Sequence, residues 1–306
     1  MKASALLAAA SLAALLAAAS PSQAGFLGLG HKPAAPITAA GVTDAQIALI
    51  QRALDEQRYV DAAALLDQAS TAGVKDARLT LLGGDLDLAR GRTDEALAVF
   101  KSVETDPATK ARALQGQGIA LAEAGKRDEA VAMLERAVAE DPSAWRAWNA
   151  LGGQYDARRD WPRAEAAYDH AMSDSDGDAR VLNNRGYSLL LQKRTDEATK
   201  DFVAALERQP DLAAARTNLR LAMALQGQYD RAVAGGTATE HAALLNNVGY
   251  IAMLKGDYPK AEELFAQAMS AKGVFYAKAS ANLELARNLA ARAGNTPERQ
   301  AMGAKP

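Results

Sequence analysis

Residues 148–171 read WNALGGQYDARRDWPRAEAAYDHA, and the order of large and small side chains in this stretch predicts two packed helices. At 100° per residue, Trp148, Gly152 and Tyr155 fall on one stripe of a first helix. A second helix carries a matching stripe, made of Ala164, Tyr168 and Ala171. Small residues at the closest approach let two helices touch, and large residues fill the gaps between turns. The stretch therefore predicts a helical hairpin.

The same arrangement recurs every 34 residues along the chain. Glycines with this spacing mark four first helices: Gly84, Gly118, Gly152 and Gly186. An alanine stands 12 residues after each glycine, and a bulky apolar residue stands 16 residues after it: Ala96 and Phe100, Ala130 and Leu134, Ala164 and Tyr168, Ala198 and Phe202. A fixed period of this length is typical of a solenoid of stacked helix pairs.

Helix signals extend this period over residues 43–293. Glycines separate several of the paired helices, where a residue in the left-handed conformation can end a helix: Gly91, Gly125, Gly227 and Gly256. The register shortens once, because Gly186 and Gly249 are 63 residues apart, five fewer than two periods. The deficit falls near 235–237, so we expect a truncated second helix there, either as a kink or as a tolerated deletion. A last helix over about 277–293 would cap the stack.

Residues 1–24 are typical of a secretory signal peptide. They contain the charged Lys2, an apolar stretch over 6–19 and a small-residue cleavage motif at 22–24. The alternative is an uncleaved membrane anchor, which requires a longer and more hydrophobic stretch. We expect cleavage after Ala24, a periplasmic location and no transmembrane segment after signal removal.

Two further segments lack the helical period. Residues 25–42 contain several glycines and prolines and are expected to form a flexible tether. An alternative for this segment is a docking peptide built on Phe26, Leu27 and Leu29. Residues 294–306 are expected to form a disordered tail.

Composition excludes several classes of chemistry. The chain has no cysteine, which excludes disulfides, thiolate nucleophiles, thiolate metal sites and a lipid-bearing N-terminal cysteine. The formal net charge of −2 lacks the excess of basic residues that is typical of nucleic-acid-binding proteins. The three histidines, His31, His170 and His241, show no metal-ligand spacing. No facing carboxylate pair or phosphate-binding loop stands out, so we expect no catalytic residues, no metal and no cofactor.

The fourth helix pair resembles the tetratricopeptide repeat. The residues that carry the resemblance are Trp148, Leu151, Gly152, Tyr155, Ala164, Tyr168 and Ala171. The resemblance covers about residues 43–293. It implies an all-α, right-handed superhelix of about seven helix pairs plus a C-terminal capping helix. It also implies a concave groove lined by the first helices and a protein or peptide partner.

Three shorter stretches resemble tight-adherence (Flp) pilus assembly proteins that carry these repeats: residues 215–227 (ARTNLRLAMALQG), 245–250 (LNNVGY) and 281–283 (ANL). Members of that family are often lipoproteins that support an envelope-spanning secretion machine. Because this chain lacks the lipid-bearing cysteine, the resemblance does not imply outer-membrane anchoring here.

Polar residues repeat on the first helices beside the glycines. An arginine stands six residues before each glycine, and we name these four the arginine row: Arg78, Arg112, Arg146 and Arg180. Amides stand three residues before a glycine, and two tyrosines follow one directly: Gln115, Asn149, Asn183 and Asn246, with Tyr187 and Tyr250. Arg180, Asn183 and Tyr187 share one helix stripe, about 130° from the apolar stripe of the same helix.

We hypothesise that the arginine row binds carboxylates or backbone carbonyls of an extended polypeptide, and that Asn149 and Asn183 bond its backbone. The alternative is a solvated surface on which Asp76 and Asp178 neutralise the arginines two residues later. Trp145 would be exposed and could anchor a partner, or it could have a partly buried structural role.

The sequence thus predicts a non-enzymatic scaffold or assembly factor of the bacterial cell envelope, with a role in Flp pilus assembly or secretion as its finer form. One alternative is a periplasmic chaperone that binds unfolded or C-terminal segments. A remote alternative is an envelope hydrolase.

Overall fold

The computed structural model describes residues 38, 41–235, 238–272 and 276–294. The expected signal segment (1–24), nearly all of the expected tether (25–42), positions 236 and 237 of the register break and the expected tail after Gly294 lie outside the described residues. In the described ranges, no helix combines the length and the apolar character that a bilayer span requires.

The described ranges contain fifteen helices: α1 (Asp44–Asp55), α2 (Tyr59–Thr71), α3 (Ala77–Ala89), α4 (Thr93–Ser102), α5 (Lys110–Glu123), α6 (Arg127–Glu140), α7 (Trp145–Ala157), α8 (Trp161–Asp174), α9 (Ala179–Leu191), α10 (Thr195–Arg208), α11 (Ala213–Leu225), α12 (Tyr229–Val233), α13 (Ala238–Leu254), α14 (Tyr258–Lys272) and α15 (Ala277–Gly294). Apart from an isolated bridge between Thr38 and Gly41, all regular structure in these ranges is helical. In chain order the helices form seven pairs followed by α15, which confirms the expected all-α architecture.

The chain forms two compact units that divide within α11. The N-terminal unit ends at Ala222 and holds α1–α10, where consecutive helices pack against each other. The C-terminal unit begins at Met223 and holds α12–α15. In this unit α13 and α14 pack as a pair, and α15 covers both.

The repeated glycines lie where two helices approach most closely. A Cβ atom added to Gly152 would lie 2.6 Å from the Tyr168 ring, and one added to Gly186 would lie 2.8 Å from the Phe202 ring. The same relation holds for Gly84 with Phe100, Gly118 with Leu134, and Gly249 with Phe265. The alanines of the repeat are fully buried: Ala62, Ala96, Ala130, Ala164, Ala198, Ala232 and Ala261. These contacts confirm the packing that the period predicts.

The turn inside each helix pair contains one residue in the left-handed region. Glycines hold this slot four times, with φ between 73° and 81°: Gly91, Gly125, Gly227 and Gly256. Three other side chains adopt the same conformation at 34-residue offsets: Gln57, Arg159 and Lys193. Where the period shortens, α12 has five residues, so the second helix of the sixth pair is short.

Capping side chains fix the starts of several first helices. Thr43 and Gln46 form a capping box at α1. Asp76 and Asp178 are the N-caps of α3 and α9, where their carboxylates accept the backbone N–H of the second helical residue. These two caps place a carboxylate beside each of two arginines of the row.

Candidate functional site

The arginine row lies in the N-terminal unit, in the first turn of four successive first helices. Arg78 is on α3, Arg112 on α5, Arg146 on α7 and Arg180 on α9. Their side chains are 33–40% exposed, so each arginine is partly buried and partly in contact with solvent. Four cations at one phase of the repeat therefore share one surface, which we name the first-helix surface.

The N-cap carboxylates neutralise two members of the row. Asp76 accepts from Arg78 Nη2 at 2.7 Å, and Asp178 accepts from Arg180 Nη2 at 2.9 Å. Hydrogen bonding from Arg78 holds the pKa of Asp76 below its usual range. Burial raises the pKa of Asp178, but the hydrogen bonds from Arg180 outweigh it, and the net shift is downward. The sequence analysis gives this local pairing as the alternative to ligand binding. The structure confirms that Asp76 and Asp178 pair with Arg78 and Arg180.

Helix α1 supplies partners that the sequence did not reveal. Its residues 44, 51 and 55 fall on one face because they are seven and four residues apart. We name this face, made of Asp44, Gln51 and Asp55, the α1 stripe. Each member meets the arginine row: Asp44 with Arg78 at 2.6 Å, Gln51 with Arg112 at 3.0 Å, and Asp55 with Arg146 at 3.2 Å and with Arg180 at 3.3 Å. The first helix of the stack thus reaches four later repeats.

Arg112 and Arg146, in the middle of the row, lie near a carboxylate of α3. Arg112 donates to Asp85 of α3 at 2.6 Å, and its Nε is buried without a hydrogen-bond partner in the described part of the chain. Burial raises the pKa of Asp85, against the opposing charges of Arg112 and Arg146. Desolvation lowers the pKa of Arg146, although an arginine keeps its charge in such a setting.

Trp145 lies under two guanidinium groups. The Cζ of Arg146 is 4.5 Å from the Trp145 ring centroid, and that of Arg180 is 5.2 Å away. Both distances are within the range of a cation–π contact. The ring is half-buried, which fits the second of the two roles expected for it. It thus supports the two arginines that meet Asp55.

The amides that were expected to face a partner mostly join neighbouring repeats. Gln115, Asn183 and Asn246 are buried, while Asn149 is half-buried. An amide ladder runs from α7 through α9 to α11: Asn184 donates to Asn149 at 3.1 Å, Asn183 to Asn184 at 3.1 Å and Asn218 to Asn183 at 2.9 Å. In the C-terminal unit, Asn282 donates to Asn246 at 2.9 Å. Gln115, Asn183 and Asn246, which the sequence assigns to the partner-binding groove, are thus buried in the free protein.

The two tyrosines are divided between the units. Tyr187 is half-buried on α9 of the N-terminal unit, and burial raises its pKa. Tyr250 is half-buried on α13 of the C-terminal unit. Within the N-terminal unit, the structure thus brings together the arginines, Trp145 and the α1 stripe. Among the described residues, no group of histidine and carboxylate side chains is arranged to hold a metal ion.

Comparison with known proteins identifies the repeats. The family model of the tetratricopeptide repeat matches residues 47–110, 116–176 and 154–213, more than half of the chain. No curated protein sequence matches the chain significantly.

Several solved structures resemble this chain at low sequence identity. The APC/C hetero-tetramer Cut9–Hcn1 contains a chain that is 17% identical, with a TM-score of 0.63 over 80% of this chain and 49% of that one. This chain therefore spans about half the length of that relative. A tetratricopeptide repeat protein from Parabacteroides merdae is 18% identical, with a TM-score of 0.47 over 80% and 98% of the two chains. PilW, described as a widely conserved type IV pilus biogenesis factor, is 21% identical, with a TM-score of 0.45 over 63% and 97%.

Proposed function

Because the chain belongs to the tetratricopeptide repeat family, we propose that it is a non-enzymatic scaffold or assembly factor whose first-helix surface holds another polypeptide. Stacked helix pairs offer extended surfaces of this kind, and repeats of this family serve as protein-interaction modules. The observation that supports the choice of surface is the arginine row. Four guanidiniums in register, with a half-buried indole among them, suit the carboxylates and carbonyls of an extended chain.

We place this scaffold in the bacterial cell envelope, as an exported periplasmic protein. The signal-like composition of residues 1–24 supports export. The finer role that we propose is the assembly of a Flp-type pilus or secretion machine. It is supported by the resemblance of residues 215–227 and 245–250 to tight-adherence pilus assembly proteins.

The arginine row can be tested by capturing partners from an envelope extract of the source bacterium. We expect the triple variant Arg112→Ala, Arg146→Ala, Arg180→Ala to lose most of the captured partner, because each arginine supplies a charge-assisted contact. The matched control removes three exposed cations from elsewhere in the same unit: Lys101, Lys126 and Arg127, each changed to Ala.

Equal capture by the triple variant and the wild type, with equal helical circular dichroism, would reject the first-helix surface as the binding site. Capture of many unrelated unfolded proteins in place of a discrete partner would favour the chaperone alternative. The tether should be kept in the expressed chain, so that any contact it makes is retained.

A further inference from the structure

Asp55 is the point where the first repeat meets two distant arginines. Its carboxylate accepts from Arg146, 91 residues away, and from Arg180, 125 residues away. Trp145 lies under both guanidiniums. The Asp55 carboxylate thus lies at a site formed by two guanidinium groups and an indole ring.

We infer that Arg146, Arg180 and Trp145 form a carboxylate-binding site, that Asp55 is its internal ligand, and that an acidic segment of a partner polypeptide takes the place of Asp55. This inference rests on the proposed function, because it names the class of segment that the first-helix surface holds. It also assigns a role to α1, whose stripe competes with the partner.

The bond lengths indicate that Asp55 is held loosely. Arg146 Nη2 lies 3.2 Å from both carboxylate oxygens, and Arg180 Nη1 lies 3.3 Å from one of them. Charge-assisted bonds of this type are usually about 2.7–2.9 Å long. Arg180 makes its shorter bond to its N-cap Asp178, at 2.9 Å. A carboxylate that is free to approach both guanidiniums could therefore bind more closely than Asp55 does.

The exposure of the cluster also indicates that Asp55 is held loosely. The side chains of Arg146 and Asp55 are 33% and 34% exposed, and ion pairs with this much solvent contribute little to stability. In the described residues, Asp55 is the ion-pair partner of Arg146, whereas Arg180 keeps Asp178 when Asp55 leaves. Displacement of Asp55 thus leaves Arg146 with the longer-range charge of Asp85 in place of a direct ion pair, and an acidic group of the partner restores such a pair.

The test is a titration with a defined acidic probe. The probe is a fluorescein-labelled octaglutamate with an amidated C-terminus, and octaglutamine of the same design is the neutral comparison. Fluorescence anisotropy measures the Kd for the full-length chain and for Asp55→Asn. The control is Asp67→Asn, which removes an exposed carboxylate from α2 and changes the net charge equally.

We expect octaglutamate to bind Asp55→Asn about two- to tenfold more tightly than the wild type, since a weak internal competitor has been removed. Asp67→Asn should bind like the wild type, and octaglutamine should not respond to either change. The gain should vanish when Arg146→Gln and Arg180→Gln are added to Asp55→Asn.

Four results would overturn the inference: equal affinity of the wild type and Asp55→Asn, an equal gain in Asp67→Asn, a gain that survives loss of both arginines, or no measurable binding by any variant. Failure here is separable from failure of the proposed function. If partner capture depends on the arginines but Asp55→Asn does not change the affinity for octaglutamate, the proposed function is retained and the role of Asp55 is rejected. If Asp55→Asn binds octaglutamate more tightly but partner capture does not depend on the arginines, the carboxylate site is retained and the proposed binding surface is rejected.

Discussion

Gly152 and Gly153 are adjacent on α7, yet they stand in opposite surroundings. A Cβ atom at position 152 would lie 2.6 Å from the Tyr168 ring, whereas one at position 153 would meet nothing within 4 Å. The ring of Tyr168 is buried and packed, so it cannot move away without disturbing its neighbours. The two positions therefore form a matched pair for testing the packing of the repeat.

We predict that Gly152→Ala lowers the free energy of unfolding by about 1–3 kcal/mol, because it overpacks the contact between α7 and α8. Gly153→Ala should instead raise it by about 0.5–1 kcal/mol, because alanine favours a helix more than glycine does. Urea denaturation followed by circular dichroism measures both. Changes of the same sign and size at the two positions would contradict the packing described for the repeat.

The sequence revealed contacts within a repeat well and contacts across repeats poorly. The 34-residue period gives the glycine and its bulky partner directly, because both belong to one helix pair. It gives no sign of the contact between Asp55 and Arg180, which joins residues 125 positions apart. The burial of Asn183 was missed for a related reason. Its stripe points away from the apolar core of its own pair, but Asn218 of the next first helix covers it.

At the scale of helices, Asp156 joins three elements of the N-terminal unit. It lies on α7 and accepts hydrogen bonds from Tyr168 Oη on α8 at 2.8 Å and from Ser188 Oγ on α9 at 2.6 Å. Burial raises the pKa of this carboxyl, although both hydrogen bonds act in the opposite direction. The protonated form is therefore favoured by folding, relative to an unfolded pKa of about 3.9.

This shift predicts a pH dependence with a definite sign. A folded pKa above the unfolded value gives a contribution to stability that is complete below the unfolded pKa and lost as pH rises through the folded pKa. The variant Asp156→Asn cannot ionise at this position. The free energy of unfolding of the wild type, relative to Asp156→Asn, should thus fall as the pH rises above about 4 toward neutrality. A constant difference over this range would contradict the buried junction, and Asp67→Asn serves as the exposed control.

The left-handed turns show how much of the backbone conformation residue type alone can predict. Four glycines identified the slot from sequence, and all four adopt positive φ. Gln57, Arg159 and Lys193 occupy the same slot without being glycines, so residue type alone did not reveal them. They lie at 34-residue offsets from the glycines, because the helix pair requires the same turn in every repeat.

At the scale of the whole molecule, the protein is a repeat array with two compact units. In such arrays each repeat is stabilised mainly by its neighbours. Within the N-terminal unit, the ion pairs of Asp44 and Asp55 and the hydrogen bond of Gln51 add contacts between the first repeat and four later ones. These contacts lie on the same first-helix surface to which we assign the partner. Binding and the arrangement of α1 are therefore coupled in this account.

Photo-crosslinking tests the central claim most directly, since it asks which surface touches the partner. Benzoylphenylalanine replaces Trp145 on the first-helix surface or, as the control, Val60 on α2, whose side chain is 79% exposed. Each full-length variant is illuminated in envelope extract. We predict a discrete crosslinked partner from position 145 and none from position 60. A partner crosslinked from position 60 but not from position 145 would contradict the account.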